Sequence, residues 1–234
     1  MHAYAQLSWR SSLTAPASFS HEEYRFREAQ VALLRYRELL EHTLEQTSRT
    51  GNIEAGVRTH FGGLGLREPM LSQVVVAYVN GRTQEVQITF PTMARYSLTV
   101  LIYSVLEEQG QLLCEALRTL KSLPLGWSDL KGDTLKKLHS YAVKLARLPA
   151  PTGSIWEDAR TLEQIRHCIV HQNGDVARSQ DATRLRQLVG KTPGYSVDDR
   201  GRISLGAESG SFLINAMARV FDNFFEHAGF PLSL

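Results

Sequence analysis

The chain carries its clearest helix signal in the stretch IWEDARTLEQIRHCIVHQNG, residues 155–174. Apolar residues recur there at intervals of four, three, three and four positions, which is the spacing of one helix face: Ile155, Ala159, Leu162, Ile165 and Ile169. Asn173-Gly174 then favours a helix end, because both residues tolerate the left-handed conformation found after a helix. The sequence therefore predicts a helix over 155–172.

Three further amphipathic patterns surround this stretch and predict helices over 93–121, from 133 or 134 to about 148, and from about 211 to 227. A short amphipathic piece around 185–189 and a small hairpin over 195–204, turning at Asp199-Arg200-Gly201, lie before the last of them. Four amphipathic helices within 92–230 favour an α-helical bundle. We therefore predict a mainly α protein with its bundle over 92–234.

An α+β extension is predicted over residues 1–91. Ser20 and Glu23 form a capping-box pattern at the start of a helix over 20–50. A β-hairpin is predicted over 73–90, because a Val-rich run is followed by Asn80-Gly81 and then by alternating apolar and polar residues. The predicted division is thus an extension, 1–91, before the bundle.

Composition narrows the class of protein. The hydrophobic fraction is 43%, the charged fraction 21% and the net charge +2, so a disordered or polybasic tail protein is excluded. Cys114 and Cys168 are the only cysteines, and their apolar surroundings favour buried free thiols over structural zinc. No signal peptide and no apolar run of the roughly 18 residues needed for a membrane span is evident. We therefore expect a soluble, cytoplasmic protein with no membrane partner.

Arg166 and His171 give the 155–172 helix a chemical character. An arginine can neutralise a phosphate, and a histidine can move a proton near neutral pH. Arg166 and His171 have four residues between them, and Asn173-Gly174 follows shortly after. This arrangement resembles the R-x4-H motif of the HEPN family (higher eukaryotes and prokaryotes nucleotide-binding domains). The resemblance covers about residues 92–230. It departs from some toxin branches, in which a tyrosine follows the histidine.

The resemblance implies a HEPN-like four-helix bundle and a metal-independent endoribonuclease without a cofactor. It implies that Arg166 and His171 are catalytic, with His167, Glu107 and Asn173 in supporting positions. RNA would be the substrate, cleaved in single-stranded or structured regions at a homodimer interface. Toxin or antiphage roles are common in the family, so an antitoxin or regulatory protein is a possible partner.

Helix geometry bears on the dimer. Residues five positions apart are separated by about 140° around a helix axis, so Arg166 and His171 do not lie directly above one another. A site between two protomers, each contributing this helix, would solve the problem, and C2 pairs are the commonest oligomers.

Other interpretations of the same residues stay open. Arg166 would pair with Glu163 or Asp158 while His171 capped the helix C-terminus, in a purely structural role. His167 and His171 have the spacing of a metal pair, but Cys168 stands where a zinc protease has Glu, and the sequence offers no third ligand. The bundle would also suit a catalytically inactive module that binds RNA or protein.

Basic residues are moderately concentrated near the motif. Residues 131–202 contain 13 Lys/Arg and 8 Asp/Glu, a surplus of five. Such a surplus is typical of a local nucleic-acid groove, although solvated helix faces have the same composition. The RNA-binding candidates are Lys136, Lys137, Arg178, Arg184 and Arg186.

Overall fold

A computed structural model describes residues 20–48 and 53–231, and this part of the chain is mainly helical with one small antiparallel sheet. The α-helices are α1 (His21–Ser48), α2 (Ile53–Gly63), α3 (Met70–Gln84), α4 (Phe90–Lys121), α5 (Thr134–His139), α6 (Gly153–Gln172), α7 (Ala182–Lys191) and α8 (Ser209–Ala228). The strands are β1 (Tyr195–Val197) and β2 (Ile203–Leu205). No helix among these residues is long and apolar enough to cross a membrane.

Helix α6 buries the stripe that the sequence predicts. Ala159, Leu162 and Ile165 are fully buried against α4 and α8, and Ile169 is nearly so. Each fully buried aliphatic side chain of this size contributes roughly 1.5–3 kcal/mol relative to exposure, which fixes the rotation of α6 about its axis. The side chains on the opposite side of α6 are therefore held outward.

Helix α1 belongs to the same hydrophobic core. The predicted helix over 20–50 is confirmed as His21–Ser48, and Ser20 Oγ accepts the Glu23 N–H at 3.1 Å. Phe26 stacks on Phe221 of α8 with ring centroids 4.6 Å apart, and Leu33 is also buried. The domain boundary at residue 91 stays a prediction.

The β-hairpin predicted over 73–90 is wrong. Asn80-Gly81 lies inside α3, and a π-helical turn, Glu85–Thr89, joins α3 to α4 without an interruption. A lone two-stranded hairpin is marginal in water, whereas a helix satisfies its own backbone groups and packs here along α2. Pro91 is tolerated because it stands in the first turn of α4, where the missing N–H costs little.

The second predicted hairpin, over 195–204, is confirmed. Strands β1 and β2 pair in antiparallel register, with Val197 opposite Ile203. Asp198 Oδ1 closes the turn by accepting the N–H groups of Arg200 and Arg202 at 2.9 and 2.8 Å. This hairpin packs beside the end of α6 and so helps to position it.

The helix predicted from 133 or 134 to 148 changes its winding part-way. Asp133 caps α5 by accepting the Lys136 N–H at 2.8 Å, and a π-helical turn, Ser140–Leu145, follows α5 directly. The helical stretch therefore ends three residues earlier than predicted. It lies against α6 and forms one wall of the clefts described below.

Candidate functional site

The outward side of α6 carries the motif. Glu163, Arg166, His167, Val170 and His171 fall within an arc of about 140° around the helix axis, which adjoins the buried stripe at Arg166. We call these five residues the outer face of α6. Arg166 and Glu163 are half-buried at its border, whereas His167, Val170 and His171 are exposed.

Arg166 is held by an aromatic ring and not by a carboxylate. Its guanidinium carbon lies 5.2 Å from the centroid of the Tyr103 ring on α4. Within residues 20–48 and 53–231, the side chain makes no hydrogen bond and no carboxylate oxygen lies within 4 Å of it; its Nε is buried. Cation–π contact thus orients the guanidinium, and its terminal nitrogens keep N–H donors that no carboxylate of these residues uses.

The carboxylates that would pair with Arg166 in the structural interpretation have other partners. Glu163 accepts a hydrogen bond from Tyr103 Oη at 2.7 Å, and Asp158 forms an ion pair with Arg219 of α8. Burial raises the pKa of Glu163 above its ordinary value, although the Tyr103 hydrogen bond opposes this. The expected Arg166–Glu163 or Arg166–Asp158 pair is therefore not formed.

His171 stands in the last turn of α6 beside His167. Their ring centroids are 4.6 Å apart with the planes inclined by 49°. The His171 ring makes no hydrogen bond to a backbone carbonyl within the described residues, so it does not cap the helix by a direct bond. The arrangement places two exposed imidazoles on the same face as Arg166.

The chain turns sharply after His171 and is tied down. Asn173 has a left-handed φ of 53° and donates its N–H to the Cys168 carbonyl, to which Gly174 N–H also donates at 3.1 Å. Tyr96 of α4 approaches Gly174 closely and donates its hydroxyl to the Ile203 carbonyl at 2.5 Å. Burial raises the pKa of Tyr96 to about 12, so the phenol remains a donor at neutral pH.

The supporting residues predicted from the sequence have different positions. His167 adjoins His171, and Asn173 forms the left-handed cap of α6. Glu107 is exposed on α4 one turn beyond Tyr103, and the described part of the chain offers it no ion-pair partner. The structure thus brings His167 to the motif but records no contact that links Glu107 to it.

Two adjoining clefts run along α6. The first, of about 400 Å³, lies between α6, α7 and the segment that joins them; it is lined by His167, Gln172 and Gln164 among others. The second, of about 470 Å³, lies between α5 with its π-helical turn and the N-terminal half of α6. They share four lining residues and so form one continuous groove: Asp133, Glu163, Gln164 and Arg184.

The basic candidates divide between this groove and other places. Lys136 and Arg184 line the groove. Lys137 lies instead over the Trp127 ring, 5.4 Å from its centroid, and Arg178 pairs with Asp175 at 3.1 Å. Arg186 is exposed on α7 and does not line the groove.

Four groove residues were not predicted: His139, Lys144, Trp156 and Arg160. Arg160 had a usable signal, because it precedes Glu163 by three positions and so shares the outward side of α6. Trp156 shares this signal, because it precedes Glu163 by seven positions on α6, whereas His139 and Lys144 depend on how α5 and its π-helical turn pack on α6.

Protein-family models, curated proteins and solved structures were each compared with the chain, and none matches it. Within the described ranges, no group of three or more His, Cys, Asp or Glu side chains is placed to hold a metal ion. Of the motif residues, His167 lines the first cleft, whereas Arg166 and His171 line neither cleft.

Proposed function

We propose that the protein is a metal-independent endoribonuclease of the HEPN type, with Arg166 and His171 as its catalytic residues. The observation that carries the proposal is the state of Arg166. Its guanidinium is oriented by Tyr103, while the neighbouring carboxylates Glu163 and Asp158 are bound elsewhere. A phosphate is the natural partner for such a group, because guanidinium donors match phosphate oxygens in geometry and charge.

The proposed reaction is transfer of a phosphodiester. The 2'-hydroxyl of one nucleotide attacks the adjoining phosphorus, and the bond to the 5'-oxygen of the next nucleotide breaks. His171 acts as general base or general acid for these oxygens, a contribution of about 10²–10⁴-fold. Arg166 binds the phosphate and stabilises the charge that gathers on it. The products are a 2',3'-cyclic phosphate and a 5'-hydroxyl end, and DNA is not cleaved.

The active unit in this proposal is a homodimer joined through the outer faces of two α6 helices. Val170 is 43% exposed on this face, between Arg166 and His171. Apolar side chains of this kind favour a protein contact. A two-fold contact would place two arginines and two histidines around one shared site at the interface, so that one histidine could act as base and another as acid.

The test is cleavage of a single-stranded RNA, followed by analysis of the ends. Wild-type protein should leave cyclic phosphate and 5'-hydroxyl ends in the presence of EDTA. Arg166→Ala and His171→Ala should each abolish cleavage, while His42→Ala, which removes an exposed histidine of α1, should not. Activity that EDTA removes and a divalent metal restores would refute the proposal. Binding without cleavage would identify the inactive module instead.

A mixing experiment tests the dimer. Arg166→Ala and His171→Ala chains are inactive alone, but their heterodimer would retain one composite site if each site takes its arginine and histidine from different protomers. If all four groups are required, the mixture stays inactive although the protein is dimeric by sedimentation. A wild-type monomer that cleaves RNA would contradict the dimer.

A role as a cytoplasmic toxin or antiphage effector, held in check by an antitoxin or regulatory protein, extends the proposal. Expression should then arrest growth, and His171→Ala should relieve the arrest. Growth arrest that persists in the His171 variant would separate toxicity from RNA cleavage.

A further inference from the structure

The groove on α6 has an uncompensated positive end. Lys136, Lys144, Arg160 and Arg184 all line the second cleft and all are exposed. Across residues 20–48 and 53–231, none of these four has a carboxylate oxygen within 4 Å of its cationic group, whereas Arg178 nearby is paired. The acidic residues of this cleft are Asp133, which caps α5, and Glu163, which is bound by Tyr103. The cleft therefore attracts an anion with several negative charges.

An aromatic pair lies among these cations. Trp156 of α6 and His139 of α5 have ring centroids 5.3 Å apart, and both rings line the cleft while only half-buried. Burial, followed by the charges of Lys144 and Arg160, lowers the pKa of His139. The two ring planes are inclined by 52°, so the indole offers one flat face for stacking and the imidazole borders it at an angle. Rings of this kind stack on nucleobases, since every base presents a π-face.

We propose that this cleft is a binding subsite for single-stranded RNA, in which a base stacks on Trp156 beside His139 while adjacent phosphates contact the four cations. The inference rests on the proposed function, because it assigns the groove to the same substrate. Trp156 and Arg166 are ten residues apart on α6, hence about 15 Å along its axis. A stacked strand rises about 3.4 Å per nucleotide, so the subsite would bind a base about four nucleotides from the scissile phosphate.

The combination of rings and cations selects an unpaired strand. A duplex has its base faces covered by neighbouring pairs, so it could use the cations but not the rings. An acidic peptide would likewise use only the cations. The cleft volume of about 470 Å³ also suits a single nucleotide and not a helix.

The first experiment measures the salt dependence of RNA binding in the His171→Ala protein, which separates binding from cleavage. We expect Lys144→Ala/Arg160→Ala to reduce the slope of log K against log salt by about 1.4, since each phosphate contact on a single strand contributes about 0.7. Over a fourfold rise in salt, the parent should lose about sevenfold more affinity than this variant. Arg35→Ala/Arg67→Ala, which removes two exposed cations outside the groove, is the matched control and should leave the slope unchanged.

The second experiment tests the stacking surface. Trp156→Ala should weaken binding of a poly-uridine strand about 5- to 150-fold, the range for one lost base stack. Trp156→Phe keeps a ring and should retain most of the affinity. An abasic strand has phosphates but no bases, so Trp156→Ala and Trp156→Phe should bind it with the same affinity. Weaker binding of the abasic strand by Trp156→Ala would mean that this substitution had changed the shape of the cleft. The affinity of Trp156→Phe for poly-uridine would then test the stacking surface.

The inference is overturned if Lys144→Ala/Arg160→Ala leaves RNA binding unchanged and Trp156→Ala binds RNA as tightly as Trp156→Phe does. It is also overturned if Trp156→Ala weakens the binding of poly-glutamate or duplex RNA as much as the binding of single-stranded RNA. The proposed function fails separately: wild-type protein that binds RNA through this cleft but does not cleave it would retain the subsite and lose the enzyme. Wild-type cleavage together with unchanged RNA binding in all groove variants would support the enzyme and refute the subsite.

Discussion

Gly174 closes the turn that follows His171, and replacing it tests how that turn is built. Its φ of +75° lies in the left-handed region, and a Cβ added there would lie 2.0 Å from Tyr96 Oη and 2.8 Å from Tyr96 Cζ. Gly174→Ala must therefore accept an unfavourable backbone conformation and also displace Tyr96. Moving Tyr96 would break its hydrogen bond to the Ile203 carbonyl.

The two contributions can be given magnitudes. A residue with a Cβ in the left-handed conformation costs about 1–2 kcal/mol. Overpacking typically adds about 1–3 kcal/mol. We therefore expect Gly174→Ala to lower the free energy of unfolding by about 2–5 kcal/mol.

Gly229 offers a matched control for this measurement. Its φ is +72°, but a Cβ added there meets no atom within 4 Å. Gly229→Ala should therefore lose only about 1–2 kcal/mol, the cost of the backbone conformation. Equilibrium unfolding in urea would measure both variants, and the difference between them isolates the steric contribution of Tyr96. Equal losses for the two variants would refute this account of the turn.

Three other substitutions test separate parts of the structure. Glu163→Gln removes a carboxyl whose raised pKa makes its contribution to stability fully present below the unfolded-state pKa and lost as pH rises through the folded-state pKa. In urea unfolding, the stability of the variant relative to wild type should therefore increase as pH rises above the ordinary Glu pKa, and a relative decrease would contradict the sign. Ile169→Ala should cost about 2–5 kcal/mol through a cavity in the core, and RNA cleavage should fall only as the fold is lost. Val170→Glu should leave the urea midpoint nearly unchanged but dissociate the proposed dimer in analytical ultracentrifugation, and a dimer that persists would exclude the outer face of α6 as its interface.

The helices with a strong apolar period could be predicted from the sequence. Helices α1, α4, α6 and α8 each begin and end within about three residues of the predicted positions, because their buried stripes repeat at helical spacing. The hairpin of β1 and β2 could be predicted as well, since its turn residues are strongly biased.

Residues 73–90 show where such patterns fail. The Val-rich run and Asn80-Gly81 describe a local preference for strands, but no further strand is available there to extend a sheet in the described part of the chain. Helix α3 also buries little: Val75 is its buried residue, while Val76 and Tyr78 are exposed. Its conformation is set by packing on α2 and by continuation into α4, and the sequence of residues 73–90 alone predicts neither.

The candidate site was likewise predictable from the sequence only in part. The sequence identifies Arg166, His171 and His167, because a motif is local. It could not show that Tyr103, some sixty residues away, would contact both Arg166 and Glu163. The rings and cations of the second cleft come from α5, its π-helical turn, α6 and α7, so their proximity also required the structure.

The energetics of Arg166 connect the fold to the proposed chemistry. A buried N–H without a partner costs about 1–3 kcal/mol, as Nε of Arg166 does here, whereas a cation–π contact such as the one with Tyr103 returns about 0.5–1 kcal/mol. Pairing with Glu163 would have removed this deficit, yet Tyr103 holds that carboxylate. A phosphate would instead accept hydrogen bonds from the terminal nitrogens, which have no carboxylate partner among residues 20–48 and 53–231. On the proposed function, the fold thus keeps Arg166 in a state that is completed only when RNA binds.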